Sequence, residues 1–280
     1  NRNMSAPLRM IAMDFDGTIL DATHRIPVHT LEILWQAKGA GYLLCACTGR
    51  SYRDTLRLIG EKNPFDYAVT SNGGDIHDLN SGKRLERITI PSAAAEHAMS
   101  VLDQYHVYYE AYIDGQPWAE ESKVDLLREN PHIYEDYISG GGALVLHTND
   151  MRTHLFSTRT EVTKFYVMAG TEETAGQIRK AIKKISGIHC TSSGPTNLEV
   201  LHCDVDKTSA LKTVGQAAGI TMEQILALGD GENDANMLRD CGYGVAMGNA
   251  QEAAAAMARF VCPSVDREGA ADAIRYFCLG

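Results

Sequence analysis

Asp14-Phe15-Asp16-Gly17-Thr18 closes an apolar segment, Leu8 to Asp16, that suits a strand buried on both faces. Ligands of an open α/β sheet bind at the carboxyl ends of its strands, so this is a place for chemistry. Two carboxylates one residue apart on extended chain point to opposite faces, and Gly17 supplies the turn that would bring Asp14 and Asp16 to one site. Gly229-Asp230-Gly231-Glu232-Asn233-Asp234 stands in the same place after a second apolar strand. Its glycine-separated carboxylates are a hard oxygen donor set of the kind that holds Mg²⁺ beside waters and phosphate. Asp234 is also placed to cap the helix that follows. Thr48-Gly49-Arg50 opens a helix after another apolar run, where a hydroxyl and free backbone N–H groups suit phosphate oxygens. Lys207, just before a helix, would neutralise charge on a phosphoryl group. Singly, each has an ordinary explanation as a cap, a turn or a solvated charge. Two acidic clusters on separate parallel strands point instead to one acidic, phosphate-handling site.

The elements that must position these residues alternate in type. The strand Leu8 to Asp16, a helix over Pro27 to Lys38, a strand over Tyr42 to Cys47, a helix over Ser51 to Ile59 and a strand over Tyr67 to Ser71 are the rhythm of a doubly wound, Rossmann-like parallel sheet. The rhythm returns late: helix Thr208 to Ala218, strand Ile225 to Leu228, a helix from Asp234 to Arg239, short strands Tyr243 to Met247 and Phe260 to Cys262, and a closing helix Ala270 to Phe277. Between Arg50 and Lys207 lies far more chain than the roughly 30 residues of one βαβ unit. Its contents differ, with strands over Val107 to Ile113, Pro117 to Ala119 and Lys164 to Ala169, and amphipathic helices over Ala93 to Gln104 and Thr171 to Ile185. Gly140-Gly141-Gly142 marks a turn or mobile loop. The reading is a core of residues 1–85 and 201–280 with an inserted α+β domain over Glu86 to Val200, hinged near Lys83 and Leu201.

Composition narrows the partners. The chain has 280 residues, 44% hydrophobic and 22% charged, and carries a formal charge of −10, which argues against gripping nucleic-acid phosphates or an anionic membrane surface. No apolar run approaches the roughly 18 residues of a membrane helix, and no signal pattern opens the chain. Asn1 to Asn3 precede the first methionine and are set aside. Seven cysteines without paired spacing, two of them (Cys45 and Cys47) inside an apolar run, suit a reduced, cytoplasmic protein. A monomer or weak homodimer is the expectation for its assembly. His24, His77, His147 and His154 share no recurring spacing and read as surface or loop residues. The aromatic run Tyr105 to Tyr112 reads as insert core and sheet edge rather than a base-stacking platform.

In their order, Asp14-Phe15-Asp16-Gly17-Thr18, Thr48-Gly49-Arg50, Lys207 and Gly229 to Asp234 resemble the four motifs of the haloacid dehalogenase superfamily. The long insert between the second and third resembles its Cof-type sugar-phosphatase branch, which carries a large α/β cap there. Ser71-Asn72-Gly73, Asn197-Leu198-Glu199-Val200, Val245 to Ala250 and Glu268-Gly269 look like further landmarks, so the resemblance spans the chain. It implies a Mg²⁺-dependent phosphomonoesterase of small phosphorylated metabolites, sugar phosphates or a phosphorylated cofactor, working through an aspartyl phosphate. Asp14 would be the nucleophile and Asp16 the general acid and base. Mg²⁺ would sit on the Asp14 carboxylate, the Asp16 backbone carbonyl and Asp230, with Asp234 in support; Thr48, Gly49, Lys207 and Asn233 would contact the phosphoryl group. Thr208 follows Lys207 where the family more often has glycine, and neither Arg50 nor Glu232 receives a role. A phosphosugar mutase and a non-catalytic binder of phosphometabolites are the alternatives; a binder alone would need neither Asp14 nor Asp16. A transport ATPase is excluded by the missing membrane segments.

Overall fold

The computed structural model describes residues 6–280, so Asn1 to Asn3 lie outside the described residues. The chain forms two sheets. The first comprises β1 (Met10–Met13), β2 (Leu43–Cys47), β3 (Tyr67–Thr70), β4 (Asp75–Asp78), β5 (Arg84–Arg87), β12 (Ile225–Gly229), β13 (Tyr243–Ala246) and β14 (Phe260–Val261). Their order is β14-β13-β12-β1-β2-β3-β4-β5. Six strands run parallel, and the β4–β5 hairpin is added antiparallel at one edge. Alternation along the strands sends Ile11, Met13, Leu44, Ala46, Leu226 and Leu228 to one face, covered by helices Val28–Gly39 and Gly269–Ile274. Met10, Ala12, Cys45, Cys47, Ile225 and Ala227 face the other side, under helices Lys207–Ala218 and Ala235–Asp240. Strands buried on both faces must be apolar throughout, which is why this sheet was readable. Strand order reverses at β1, between β2 and β12, so the loops after these strands open a crevice there.

The second sheet has the order β10-β11-β9-β6-β7-β8, with β6 (Tyr108–Ile113), β7 (Gln116–Glu120), β8 (Leu146–Thr148), β9 (Lys164–Met168), β10 (Ile188–Thr191) and β11 (Asn197–His202). One face packs Tyr109, Ala111, Ile113, Phe165, Val167, Leu198 and Val200 on helices Ser92–Gln104 and Glu172–Ile182. The opposite face carries Glu110, Tyr112, Lys164, Tyr166 and Glu199. Glu86 pairs inside β5, and Val200 lies within β11, which runs on to His202. The chain crosses between the sheets over residues 88–90 and again over 203–206, as the bonds Ile90 N to Val162 O and Cys203 N to Gly187 O locate. The charged sequence of Arg84–Arg87 hides an edge strand that is only partly covered. The aromatic run also does not form a sheet edge: β6 lies between β9 and β7, with Tyr109 in the core.

Cys45 and Cys47 are fully buried, and all seven cysteines among the described residues are unpaired. His77, expected at the surface, is instead buried on β4 and stacked on Tyr52 at 3.5 Å, where burial and the Arg87 and Arg84 charges push its imidazole down to about 4. Gly140-Gly141-Gly142 is a turn ending helix Pro131–Ser139, with Gly141 at φ +116°. No helix among the described residues is long and apolar enough to cross a membrane.

Candidate active site

Asp14 leaves β1 still held by the sheet, its N–H donating to Leu228 O at 3.0 Å. The chain then turns: the N–H groups of Thr18, Ile19 and Leu20 all point to Phe15 O, and Gly17 takes φ +75°. A Cβ at Gly17 would lie 2.1 Å from Asp230 Oδ2, so only glycine lets the two acidic loops close on each other. Thr18 Oγ1 donates to Asp230 Oδ1 at 3.1 Å, and Asn249 Nδ2 to Gly17 O at 2.9 Å. Carboxylate oxygens of Asp14, Asp230 and Asp234 all fall within 4.8 Å of one another.

Lys207 is delivered by the first turn of its helix, capped by Asp206, whose carboxylate accepts from Ser209 N at 2.7 Å. Its ammonium is fully buried, 3.1 Å from Asp14 Oδ1 and 2.6 Å from Asp234 Oδ1. The second oxygen of Asp234 accepts from the N–H groups of Asp230 and Gly231 at 2.9 and 3.0 Å, so Asp234 orients both the lysine and the loop. Three carboxylates crowd one ammonium. Burial, and then the Asp234 charge, push the Asp14 carboxyl well above its ordinary range despite Lys207. The same two causes raise Asp230 to about 6. Burial works against the Lys207 charge, but Asp14 and Asp234 outweigh it and hold the ammonium protonated. A pocket with this excess of buried oxygen charge fits a hard divalent cation.

The register of Met13 against Ala46 sets Thr48 beside the Asp14–Phe15 turn. Thr48 is buried, and its Oγ1 accepts from Arg50 N at 3.0 Å. Asn72 N donates to Thr48 O at 3.1 Å, from a residue at φ +57°. Asn233 is held by the insert: its N–H donates to Ser192 O at 3.0 Å and its Nδ2 to Glu199 Oε2 at 3.2 Å.

Asp16 turns away from this cluster. It is half-exposed and makes a two-pronged ion pair with Arg50, Nε to Oδ2 and Nη2 to Oδ1, both 2.7 Å. Burial raises its carboxyl, but the neighbouring His24, the hydrogen bonds from Arg50 and the Arg50 charge overcome this and hold it well below the usual carboxylate range. Arg50 also donates to Asp54 Oδ2 at 2.6 Å and to Gly140 O of the insert at 2.9 Å.

Several of these partners went unread in the sequence. Arg50 received no role, although its place beside Thr48-Gly49 was the available signal. His24, read as surface or loop, stands 3.2 Å from Arg50 Nη2 and 3.6 Å from Asp16 Oδ1. Glu232 ties the two sheets together, accepting from Thr191 Oγ1 at 3.0 Å and from Arg179 Nη2 at 3.2 Å. Glu110 sits on the polar face of the insert, bonded by Tyr108 OH at 3.0 Å. Burial pushes its carboxyl up from the ordinary 4.5 to about 7, against the Tyr108 bond and the Lys164 charge. The folded chain therefore keeps a proton that the unfolded chain releases, and the stability this confers is full below about 4.5 and lost as pH rises through about 7. Glu110→Gln should thus gain on the wild type by on the order of 3 kcal/mol between about pH 5 and about pH 8.5, read by denaturant unfolding. Parallel pH curves for the two proteins would refute the assignment.

A family model for haloacid dehalogenase-like hydrolases matches residues 11–274. The chain is 25% identical over 272 residues to the 5-amino-6-(5-phospho-D-ribitylamino)uracil phosphatase of Bacillus subtilis, covering 97% of this chain and 96% of that one. It is 27% identical over 264 residues to the pyridoxal phosphate phosphatase of Escherichia coli, covering 90% and 92%. A solved haloacid dehalogenase-like hydrolase from B. subtilis superposes with a TM-score of 0.85 at 25% identity, over 96% of this chain and 99% of that one. The chain belongs to the haloacid dehalogenase-like hydrolases and is an enzyme of their phosphatase kind.

Proposed function

We propose that this phosphatase hydrolyses phosphomonoesters of small metabolites, phosphorylated sugars or a phosphorylated cofactor, in two steps through an aspartyl phosphate on Asp14. The observation that carries the reading is the Asp14 carboxylate, 3.1 Å from a fully buried ammonium and beside two further acids, the buried Asp234 and the partly buried Asp230, at the end of a parallel strand. Lys207 offsets the repulsion between that carboxylate and an anionic ester, which a carboxylate nucleophile otherwise meets unaided.

In the first step an Asp14 oxygen bonds to phosphorus, the ester P–O bond breaks, and the departing alkoxide takes a proton from Asp16. In the second, Asp16 takes a proton from water as the water oxygen bonds to phosphorus, and the Asp14–phosphorus bond breaks to free inorganic phosphate. To give up a proton in the first step Asp16 must first release Arg50, because the ion pair keeps it ionised. Thr48, Gly49 and Asn233 would bind the phosphoryl oxygens. The Asp14 carboxylate, the Asp16 backbone carbonyl and Asp230 would hold Mg²⁺, with Asp234 in support, and the bound ion would supply positive charge against those oxygens. The second sheet acts as a cap whose polar face meets the leaving group.

Phosphate release measured across sugar phosphates, polyol phosphates and phosphorylated cofactors tests this directly. Activity should fall to background with chelator, return with Mg²⁺ and be inhibited by excess Ca²⁺, which takes more ligands at longer distances. Turnover by the chelated enzyme would contradict the metal assignment, and an isomerised product without free phosphate would make the enzyme a mutase.

A further inference from the structure

Lys164 and Glu199 stand on neighbouring strands, β9 and β11, on the face of the second sheet turned away from its own core. Both are buried, at 1% and 2% exposure. The three hydrogens of the Lys164 ammonium meet three acceptors: Glu199 Oε1 at 2.6 Å, Gly49 O at 2.7 Å and Asn72 Oδ1 at 3.0 Å. The rings of Tyr112 and Tyr166 flank it at 5.0 and 5.8 Å. Glu199 Oε2 accepts from Asn72 Nδ2 at 3.1 Å and from Asn233 Nδ2 at 3.2 Å. One ion pair of the insert therefore grips both the loop after β2 and the loop after β12. The fit leaves no room at Gly49, where a Cβ would lie 2.6 Å from Asn72 Oδ1 and 2.8 Å from Glu199 Oε1.

A pair this deeply buried is a poor source of stability, since desolvation offsets most of its attraction. It has a geometric effect. The bond to Gly49 O sets the plane of the Gly49–Arg50 peptide, and the N–H of that peptide donates to Thr48 Oγ1. The bond from Asn233 fixes which way its amide points.

We propose that Lys164 and Glu199 are positioning residues for phosphate binding: from the insert they set Thr48-Gly49 and Asn233, so the phosphate-contacting groups take their working geometry only when the two sheets are docked. The inference rests on the phosphatase reading and adds a signature to it. Loss of the pair weakens binding of the phosphoryl group itself and is therefore blind to the leaving group. Losing a charge-assisted positioning network of this kind corresponds to about 10- to 100-fold in phosphate affinity.

The decisive variant is the double replacement Lys164→Met with Glu199→Gln, which removes both charges and strands neither. With Mg²⁺ present, the dissociation constant of inorganic phosphate, read by calorimetry, should rise about 10-fold or more. KM for p-nitrophenyl phosphate and for a sugar phosphate should rise by that same factor, with kcat little changed. Glu199→Asp keeps the counter-charge for Lys164 but shortens the reach to Asn233, and should fall between; it carries the same readout if the double variant does not fold. Unchanged phosphate affinity in a folded variant overturns the proposal, and so does a changed ranking of leaving groups, which would make the pair a specificity element. If the wild type released no phosphate from any ester, the phosphatase reading would fall, while the phosphate dissociation constants would still decide the role of the pair.

Discussion

Asp14→Asn should lower phosphate release by at least about 10⁴-fold, the scale on which removal of a covalent nucleophile is felt. The substitution keeps shape and removes one negative charge from a pocket where Asp230 and Asp234 already disfavour it. The variant should therefore melt no lower than the wild type in the absence of divalent cation. Mass spectrometry of acid-quenched enzyme should find a phosphoryl adduct on Asp14 during wild-type turnover and none on the variant. Near-native phosphate release from a clean preparation of Asp14→Asn would rule out the covalent route.

Asp16→Asn should divide substrates by leaving group. A sugar alkoxide needs the proton that Asp16 supplies, so its hydrolysis should fall by roughly 10²–10⁴-fold. p-Nitrophenolate leaves without help, and its ester should lose far less in the first step. The structure adds a reason to compare the two: Asp16 is held by Arg50, and the asparagine also frees that guanidinium. Equal losses on both esters would mean that Asp16 acts through Arg50 or the geometry of its loop rather than through its proton. Single-turnover kinetics with each ester would separate the cases.

Legibility along the chain followed how local the physical constraint is. The parallel strands β1, β2, β3 and β12 were readable because burial on both faces demands an unbroken apolar run. Asp14, Thr48, Lys207 and Asp230 follow from those strands, since each lies at a strand end or helix start that a short motif specifies. The β4–β5 hairpin was not readable. Arg84–Arg87 is charged, and only pairing with β4 makes it a strand. His77 looked like a surface residue because nothing in its own neighbourhood announces the Tyr52 ring that covers it.

By itself the sequence determined the doubly wound core, the presence of a long insert and the residue types that gather at the strand ends, because these depend on periodicity and on turns a few residues long. Only the tertiary structure decided what each side chain touches. It turned Asp16 onto Arg50, and it seated Asn233 on Glu199 and Glu232 on Arg179. It also joined Lys164 to Gly49, 115 positions away. All but the Asp16–Arg50 pair join the insert to the core across sequence separations over which no pattern persists. They are polar contacts whose partners meet only once the chain has folded, and the buried Lys164 and Glu199 in particular would be left uncompensated without them.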